Sequence, residues 1–311
     1  MGSKNLLKPT VAAWTRSKES TDPRCGSYNP TCGVITLDTR GEDTMKIAYR
    51  FEDVVNDVER LFRSASRKVK TERWQSLVAK PEHETYEILF YSFHLGLWRD
   101  TPDHWKYQIK PNLPWAEDHF LERVSGVPAN PGVEWRNWPF HKSADTFRNP
   151  DGLFTHTYME RYWAPPLEGI RYSYGGLGHV IDLLRTQPFT RQAFLPVWFP
   201  EDTGVAHGGR VPCTLGYHFI RRGDHLSVVY YIRSCDYIRH FRDDVYMTIR
   251  LCLWMLDVLR SFESWKDVKP GSLVMHITSL HMFVNDYNLF VKGNDDGVEA
   301  GEEPDQVASG P

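Results

Sequence analysis

Cys213 and Arg233 are the residues whose types and spacing first point to chemistry in this chain of 311 residues. Cys213 follows Val211-Pro212 and precedes an alternating stretch from Thr214 to Ile220. A second alternating stretch, Leu226 to Ser234, ends in Arg233-Ser234-Cys235-Asp236, and Arg222-Gly223-Asp224 lies between the two. That pattern predicts a β-hairpin. In a hairpin of this length the start of one strand neighbours the end of the other, so Arg233 can lie near the Cys213 thiol. A guanidinium there lowers the thiol pKa and raises the nucleophilic thiolate fraction. The same fork can clamp a phosphate through two parallel hydrogen bonds. The plainer reading of this spacing is a buried strand cysteine beside a surface arginine.

Such a pair needs a scaffold, and the composition supplies one. With 41% hydrophobic and 25% charged residues, the chain has an ordinary globular balance and room for a sizeable core. Lys+Arg 37 against Asp+Glu 40 leaves a net charge of -3, without the basic excess of a nucleic-acid binder. No apolar run is long enough to span a bilayer and no signal peptide stands at the start, so a cytoplasmic enzyme is expected, with no membrane partner. The five cysteines are odd in number, sparse and without C-x-x-C spacing, which favours reduced thiols and no metal site.

The periodicity predicts helices over Asp53 to Ala65 and Glu84 to Leu97, with irregular, Trp-rich chain from Pro102 to Pro166. An apolar helix is expected around Val180 to Leu184. A long helix should follow Asp243-Asp244 and run to about Phe262, one of the two aspartates serving as its N-cap. Ser272 to Thr278 reads as a strand, Leu280 to Val291 as a separate apolar element, and 293–311 as a disordered acidic tail. No internal repeat is present. The expected class is α+β in one catalytic domain, residues 1–292.

Several segments in order resemble the thymidylate synthase family. They are Thr190-Arg191-Gln192-Ala193-Phe194-Leu195-Pro196-Val197-Trp198, Val211-Pro212-Cys213, and Tyr231-Ile232-Arg233-Ser234-Cys235-Asp236. To these are added Pro270-Gly271, Ser279 to Asn285 with His281, Gly169-Ile170-Arg171-Tyr172, and Arg24-Cys25-Gly26-Ser27. The match is best over 155–292. The resemblance implies a central mixed β-sheet flanked by helices and a homodimer formed by sheet stacking, with shared active sites. It implies a Cys213 thiolate that adds to C6 of a pyrimidine nucleoside monophosphate, and 5,10-methylenetetrahydrofolate as the one-carbon donor. It further implies that Arg24, Arg233, Ser234 and the neighbouring subunit's copy of Arg191 hold the 5′-phosphate. Asp236 and Tyr172 would position the base, His281 would contact the sugar, Asn285 would complete the late binding motif, and Glu87 would be the general acid/base.

The sequence departs from the family at Thr214, Gln192 and Phe283, where His, Arg and Tyr are usual. The most informative departure is Asp244, eleven residues after Arg233, where the family places an Asn that reads uracil. Cytosine presents the reversed pattern, an amine donor at C4 and an acceptor at N3. A carboxyl group accepts from that amine and, when protonated, donates to N3. This resembles the phage deoxycytidylate hydroxymethylases and implies production of 5-hydroxymethyl-dCMP. Methylation of dCMP or dUMP, hydroxymethylation of CMP, and an inactive nucleotide-binding homologue are the alternatives.

Overall fold

The computed structural model describes residues 46–70, 84–141, 148–163, 176–203 and 210–292. All of them fall in one compact unit, Val34–Pro311; a second unit, Met1–Gly33, lies outside them. Arg24, Tyr172 and the acidic segment 293–311 are also outside the described residues.

The class is α+β, with helices flanking a seven-stranded mixed sheet. In chain order the elements are β1 (Ile47–Ala48), α1 (Phe51–Ser64), β2 (Arg67–Val69), β3 (Thr85–Gly96), α2 (Pro102–Ile109) and α3 (Trp115–Arg123). There follow α4 (Tyr158–Tyr162), α5 (Leu177–Thr186), β4 (Phe194–Pro196), β5 (Thr214–Arg222) and β6 (His225–Asp236). The described residues end in α6 (Phe241–Leu259), β7 (Lys269–Phe283) and α7 (Val284–Lys292). The strand order is β1-β3-β7-β6-β5-β4, with β2 paired to β3. The predicted hairpin is β5–β6, antiparallel, with Arg222 opposite His225 and Gly223 at φ 56° in the turn.

The segment Glu84 to Leu97, expected as a helix, is strand β3, and the reason lies in its burial pattern. Ile88 and Tyr91 are both buried three residues apart, a helical step. The same three-residue step recurs on β7 from Ile277 to Leu280 and on β6 from Ile232 to Cys235. The register aligns all three: Ile88 pairs with Leu280 and Leu280 with Cys235, while Tyr91 pairs with Ile277 and Ile277 with Ile232. One line across three neighbouring strands therefore shifts the inside–outside alternation by a residue. Phe90, at φ 59° and 77% exposed, sits on that line. The shift also explains why Ser272 to Thr278 and Leu280 to Val291 look like separate elements. They are one strand, β7, to Phe283, and then helix α7.

The region Pro102 to Pro166 is not irregular throughout, for it contains α2, α3 and α4. Its Trp side chains conceal short helices: Trp105 and Trp115 are buried beside Ile109 and Phe120. The nineteen-residue α6, roughly 28 Å long, is the central helix. Val245, Ile249, Cys252 and Leu256 are among its fully buried side chains. Phe241 at its start stacks on Phe51 of α1 at 5.8 Å and meets Phe93 of β3 edge-on at 6.0 Å. Its N-cap is His240, and Asp243 lies inside the first turn, so neither aspartate caps it. Asp243 instead accepts hydrogen bonds from the Asn112 backbone and side-chain nitrogens, each at 2.8 Å. Arg250 grips Glu117 of α3 at 2.8 and 2.9 Å, locking α3 to α6.

Phe90 offers a test of the shifted line. A bulky residue in the left-handed region costs about 1–2 kcal/mol, against about 0.5–1 kcal/mol for the added freedom of glycine in the unfolded chain. Phe90→Gly is therefore expected to keep or slightly raise stability, and Phe90→Val, which is β-branched, to lower it. Urea unfolding of both variants checks this; a clear loss for Phe90→Gly would show that the side chain itself holds the strand.

Candidate functional site

Beyond the shifted line, the side chains of Ser234, Asp236, His281 and Phe283 alternate with buried Cys235, Leu280 and Met282. The first four help line a cavity of about 600 Å³ that also contains Cys213, Asp244 and Asn285. The hairpin thus delivers Cys213 and Ser234, α6 delivers Asp244, and the β7–α7 junction delivers His281 and Asn285. Six of the eleven residues singled out from sequence meet in one place.

Cys213 is half-buried at the head of β5, and its carbonyl accepts from the Arg233 backbone N–H at 2.9 Å. Arg233 is its neighbour, as the hairpin predicts. Its guanidinium donates to the carbonyls of Pro212 at 2.8 Å and Val211 at 3.2 Å and stacks over Trp198, so it braces the cysteine segment. Arg233 and Arg191 are not among the cavity-lining residues. Glu87 is not either: it stands on β3 and accepts a short hydrogen bond from Ser279 Oγ, across the shifted line.

Asp236 is fixed from two sides. One oxygen accepts from the backbone N–H groups of Ile238 and Arg239 at 3.0 and 3.1 Å, the other from the Arg239 guanidinium at 3.1 Å. Arg239 also bridges to Asp286 of α7. Burial lowers the His281 pKa, which keeps its ring neutral at neutral pH.

The structure adds residues that the sequence reading missed. Tyr158 of α4 lines the cavity, and its hydroxyl shares a hydrogen bond with Thr214 Oγ1 at 3.1 Å, which continues to Tyr230 at 2.9 Å. Burial first, then the neighbouring Cys213, push the Tyr158 phenol up to about 12. Thr214 thus anchors a hydroxyl chain beside Cys213. From α3 come His119, Glu122 and Arg123. Burial, aided by Arg123, pushes His119 down to about 4, so its neutral ring donates from Nδ1 to the Glu122 carboxylate at 3.2 Å. Trp115 stacks on His119 at 5.0 Å, Trp138 on His240 at 4.9 Å, and Trp135 meets Phe154 edge-on at 5.4 Å. The spacing His119-x-x-Glu122 on one helix was visible in the sequence as an i,i+3 pair. Nothing there marked it as facing Cys213.

Asp244 has an unusual environment. The one hydrogen bond to its carboxyl among the described residues comes from Cys235 Sγ at 3.8 Å, and burial pushes that carboxyl up to about 7 against the pull of Arg123. A carboxyl raised this far above its ordinary value favours folding most at low pH and loses that contribution as pH rises through about 7. Asp244→Asn cannot ionise, so its stability relative to the wild type should climb between about pH 4 and pH 7 and then level off. The total gain is at most about 4 kcal/mol. Denaturant titrations at stepped pH measure this; parallel curves would mean that Asp244 titrates normally.

Residues 99–292, more than half of the chain, match the family described as thymidylate synthase. The chain is also similar to a thymidylate synthase of Rhizorhabdus wittichii, 26% identical over 207 residues, which cover 63% of this chain and 58% of that protein. The chain thus spans less than two thirds of that relative's length.

Proposed function

We propose that this chain, which belongs to the thymidylate synthase family, transfers a one-carbon unit to C5 of a cytidine nucleotide, converting dCMP to 5-hydroxymethyl-dCMP. The observation that carries the cytidine assignment is Asp244, a half-buried carboxyl facing the cavity that holds Cys213. Its side chain accepts from a 4-amino group, which uracil lacks.

The Cys213 thiolate attacks C6, and the C5=C6 electron pair moves to C5, which becomes nucleophilic. The Tyr158–Thr214–Tyr230 hydroxyl chain orders the polar wall beside the sulfur, and Asp236, held by Arg239, is preorganised at the base. Glu122, supported by neutral His119, is the carboxylate placed to accept the C5 proton, a role the sequence suggested for Glu87. Methylenetetrahydrofolate would supply the carbon and depart as tetrahydrofolate, water would supply the hydroxyl oxygen, and loss of the C5 proton would release Cys213. The aromatic wall of Trp115, Trp135 and Trp138 suits the flat pterin ring of such a donor, and the cavity is in the size range of small-molecule sites. Ser234 faces the 5′-phosphate from the cavity wall, and Arg233, held by the Pro212 and Val211 carbonyls, braces the Cys213 segment.

Assembly is part of this reading. Val229, Tyr231, Val274 and His276 alternate with the core residues of β6 and β7 and stay only partly buried. Among the described residues no helix covers them. This face stacks on a second copy to form a symmetric dimer, and Arg191 reaches the phosphate in the neighbouring site.

The decisive assay supplies dCMP, dUMP or CMP with methylenetetrahydrofolate and identifies products by mass spectrometry. Hydroxymethylated dCMP supports the reading; methylated dUMP alone would replace it with a uridylate methyltransferase. Cys213→Ser should lose turnover while still binding nucleotide. Glu122→Gln should lower turnover about 10²–10⁴-fold, the usual worth of a general acid/base. Glu87→Gln should have little effect; the reverse pattern would return the role to Glu87. Asp244→Asn should move preference from dCMP toward dUMP by about tenfold to a hundredfold. Mixing Arg191→Ala with Cys213→Ser subunits should restore part of the activity. No recovery after verified exchange would show that each site is self-contained.

A further inference from the structure

Three arginines are buried among the described residues: Arg123, Arg161 and Arg250. Arg161 holds Asp202 through two hydrogen bonds at 2.8 and 2.9 Å, and Arg250 holds Glu117 in the same manner. Arg123, only 5% exposed, has no such carboxylate among the described residues, and its Nε has no partner at all. It lies 4.1 Å over the Tyr158 ring and donates to the Tyr162 phenol oxygen, with the Tyr217 phenol nearby, but no carboxylate pairs with it among the described residues. A guanidinium removed from water without an anion or a set of acceptors is costly, so a fold that keeps one has a use for it.

The cavity suggests the use. Arg123 enters its wall from α3 and Asp244 from α6, and the two act on each other electrostatically without being joined as an ion pair. Asp244 is also under-satisfied, with a single long bond from a thiol. Two unlike groups therefore face one space, each short of a partner. A planar ligand edge that satisfies both must offer a donor next to two acceptors. Cytosine does so through its 4-amino group, N3 and O2. Uracil presents O4 to the carboxylate and N3–H to the guanidinium, a repulsive contact at both points.

We infer that Arg123 and Asp244 together read the base, the guanidinium donating to N3 and O2 of cytosine while the carboxylate accepts from the 4-amino group. The inference rests on the proposed binding of a pyrimidine nucleotide in this cavity and makes Arg123 a second specificity-determining residue. It also removes the need for a proton on Asp244 or on N3, because Arg123 supplies the donors.

Equilibrium binding of nucleotide alone to the full chain tests this without any turnover. The probes are dCMP, dUMP and 3-deaza-dCMP, in which a C–H replaces N3. The wild type should bind 3-deaza-dCMP about tenfold or more weakly than dCMP, the size expected for a lost base contact. Arg123→Gln should narrow both that gap and the dCMP preference over dUMP, and Arg123→Lys, which lacks the planar fork, should narrow them in part. Equal binding of dCMP and 3-deaza-dCMP by the wild type would overturn the inference. So would an Arg123→Gln protein that keeps both gaps. If Arg123→Gln fails to fold, the analogue gap on the wild type and the Arg123→Lys variant decide the matter. A wild type that binds neither dCMP nor dUMP would overturn the nucleotide reading itself. That outcome is distinct, since the results that refute Arg123 alone require a wild type that binds dCMP.

Discussion

The one-residue shift in alternation that crosses β3, β7 and β6 is the constraint on which the site depends. A strand with strict period two would keep Ser234 and Asp236 on the face of Tyr230 and Ile232, inside the core. Because three paired strands shift together, hydrogen bonding along the ladders survives while the side-chain pattern changes hand. Cys235 and Leu280 then continue the core, and Ser234, Asp236 and His281 are released to the cavity. A shift in one strand alone would set its apolar residues against the polar ones of its neighbours. The coordinated line is therefore a property of the sheet and not of any one strand.

The second organising feature is α6, which couples core and site. Its buried length fixes it against the sheet, so the side chains of its first turn have no freedom to withdraw from the cavity. Two adjacent aspartates there are used differently. Asp243 is satisfied by Asn112, whose backbone and side chain bind both oxygens, and serves to tie the α2–α3 connection to the helix. Asp244 receives one weak thiol donor and is left to the cavity. Burial raises the pKa of both, Asp244 to about 7. Hydrogen bonding, not helix position, separates the structural carboxyl from the one available to a ligand.

The same reasoning separates the arginines. Arg161 and Arg250 have bidentate carboxylates and hold elements together; Arg239 links Asp236 to Asp286 at the mouth of α7. Arg233 spends its fork on the carbonyls that precede Cys213. Only by comparing how each is satisfied does Arg123 stand out, because a buried cation is informative through what it lacks.

The sequence by itself determined the hairpin, the place of Cys213 at its mouth, the long C-terminal helix and the family to which the chain belongs. Those signals are local: period-two alternation around Arg222-Gly223-Asp224, Pro212-Cys213, and an apolar run after Asp243-Asp244. Strand β3 looks helical in sequence and β7 looks like two pieces for one reason, the three-residue steps Ile88 to Tyr91 and Ile277 to Leu280. In a single strand such a step is indistinguishable from a helical turn, and only pairing with neighbours that carry the same step reveals it. The site divides along the same boundary. Cys213, Ser234, Asp236, Asp244, His281 and Asn285 fall in or between motifs whose order the sequence preserves. His119, Glu122, Arg123 and Tyr158 come from helices in the Trp-rich region, some fifty to ninety residues before Cys213. What brings them to Cys213 is the packing of α3 against α6 through Glu117 and Arg250, a contact between residues more than a hundred positions apart. No local pattern encodes that distance, because the energy that closes it comes from burying both helices in one core.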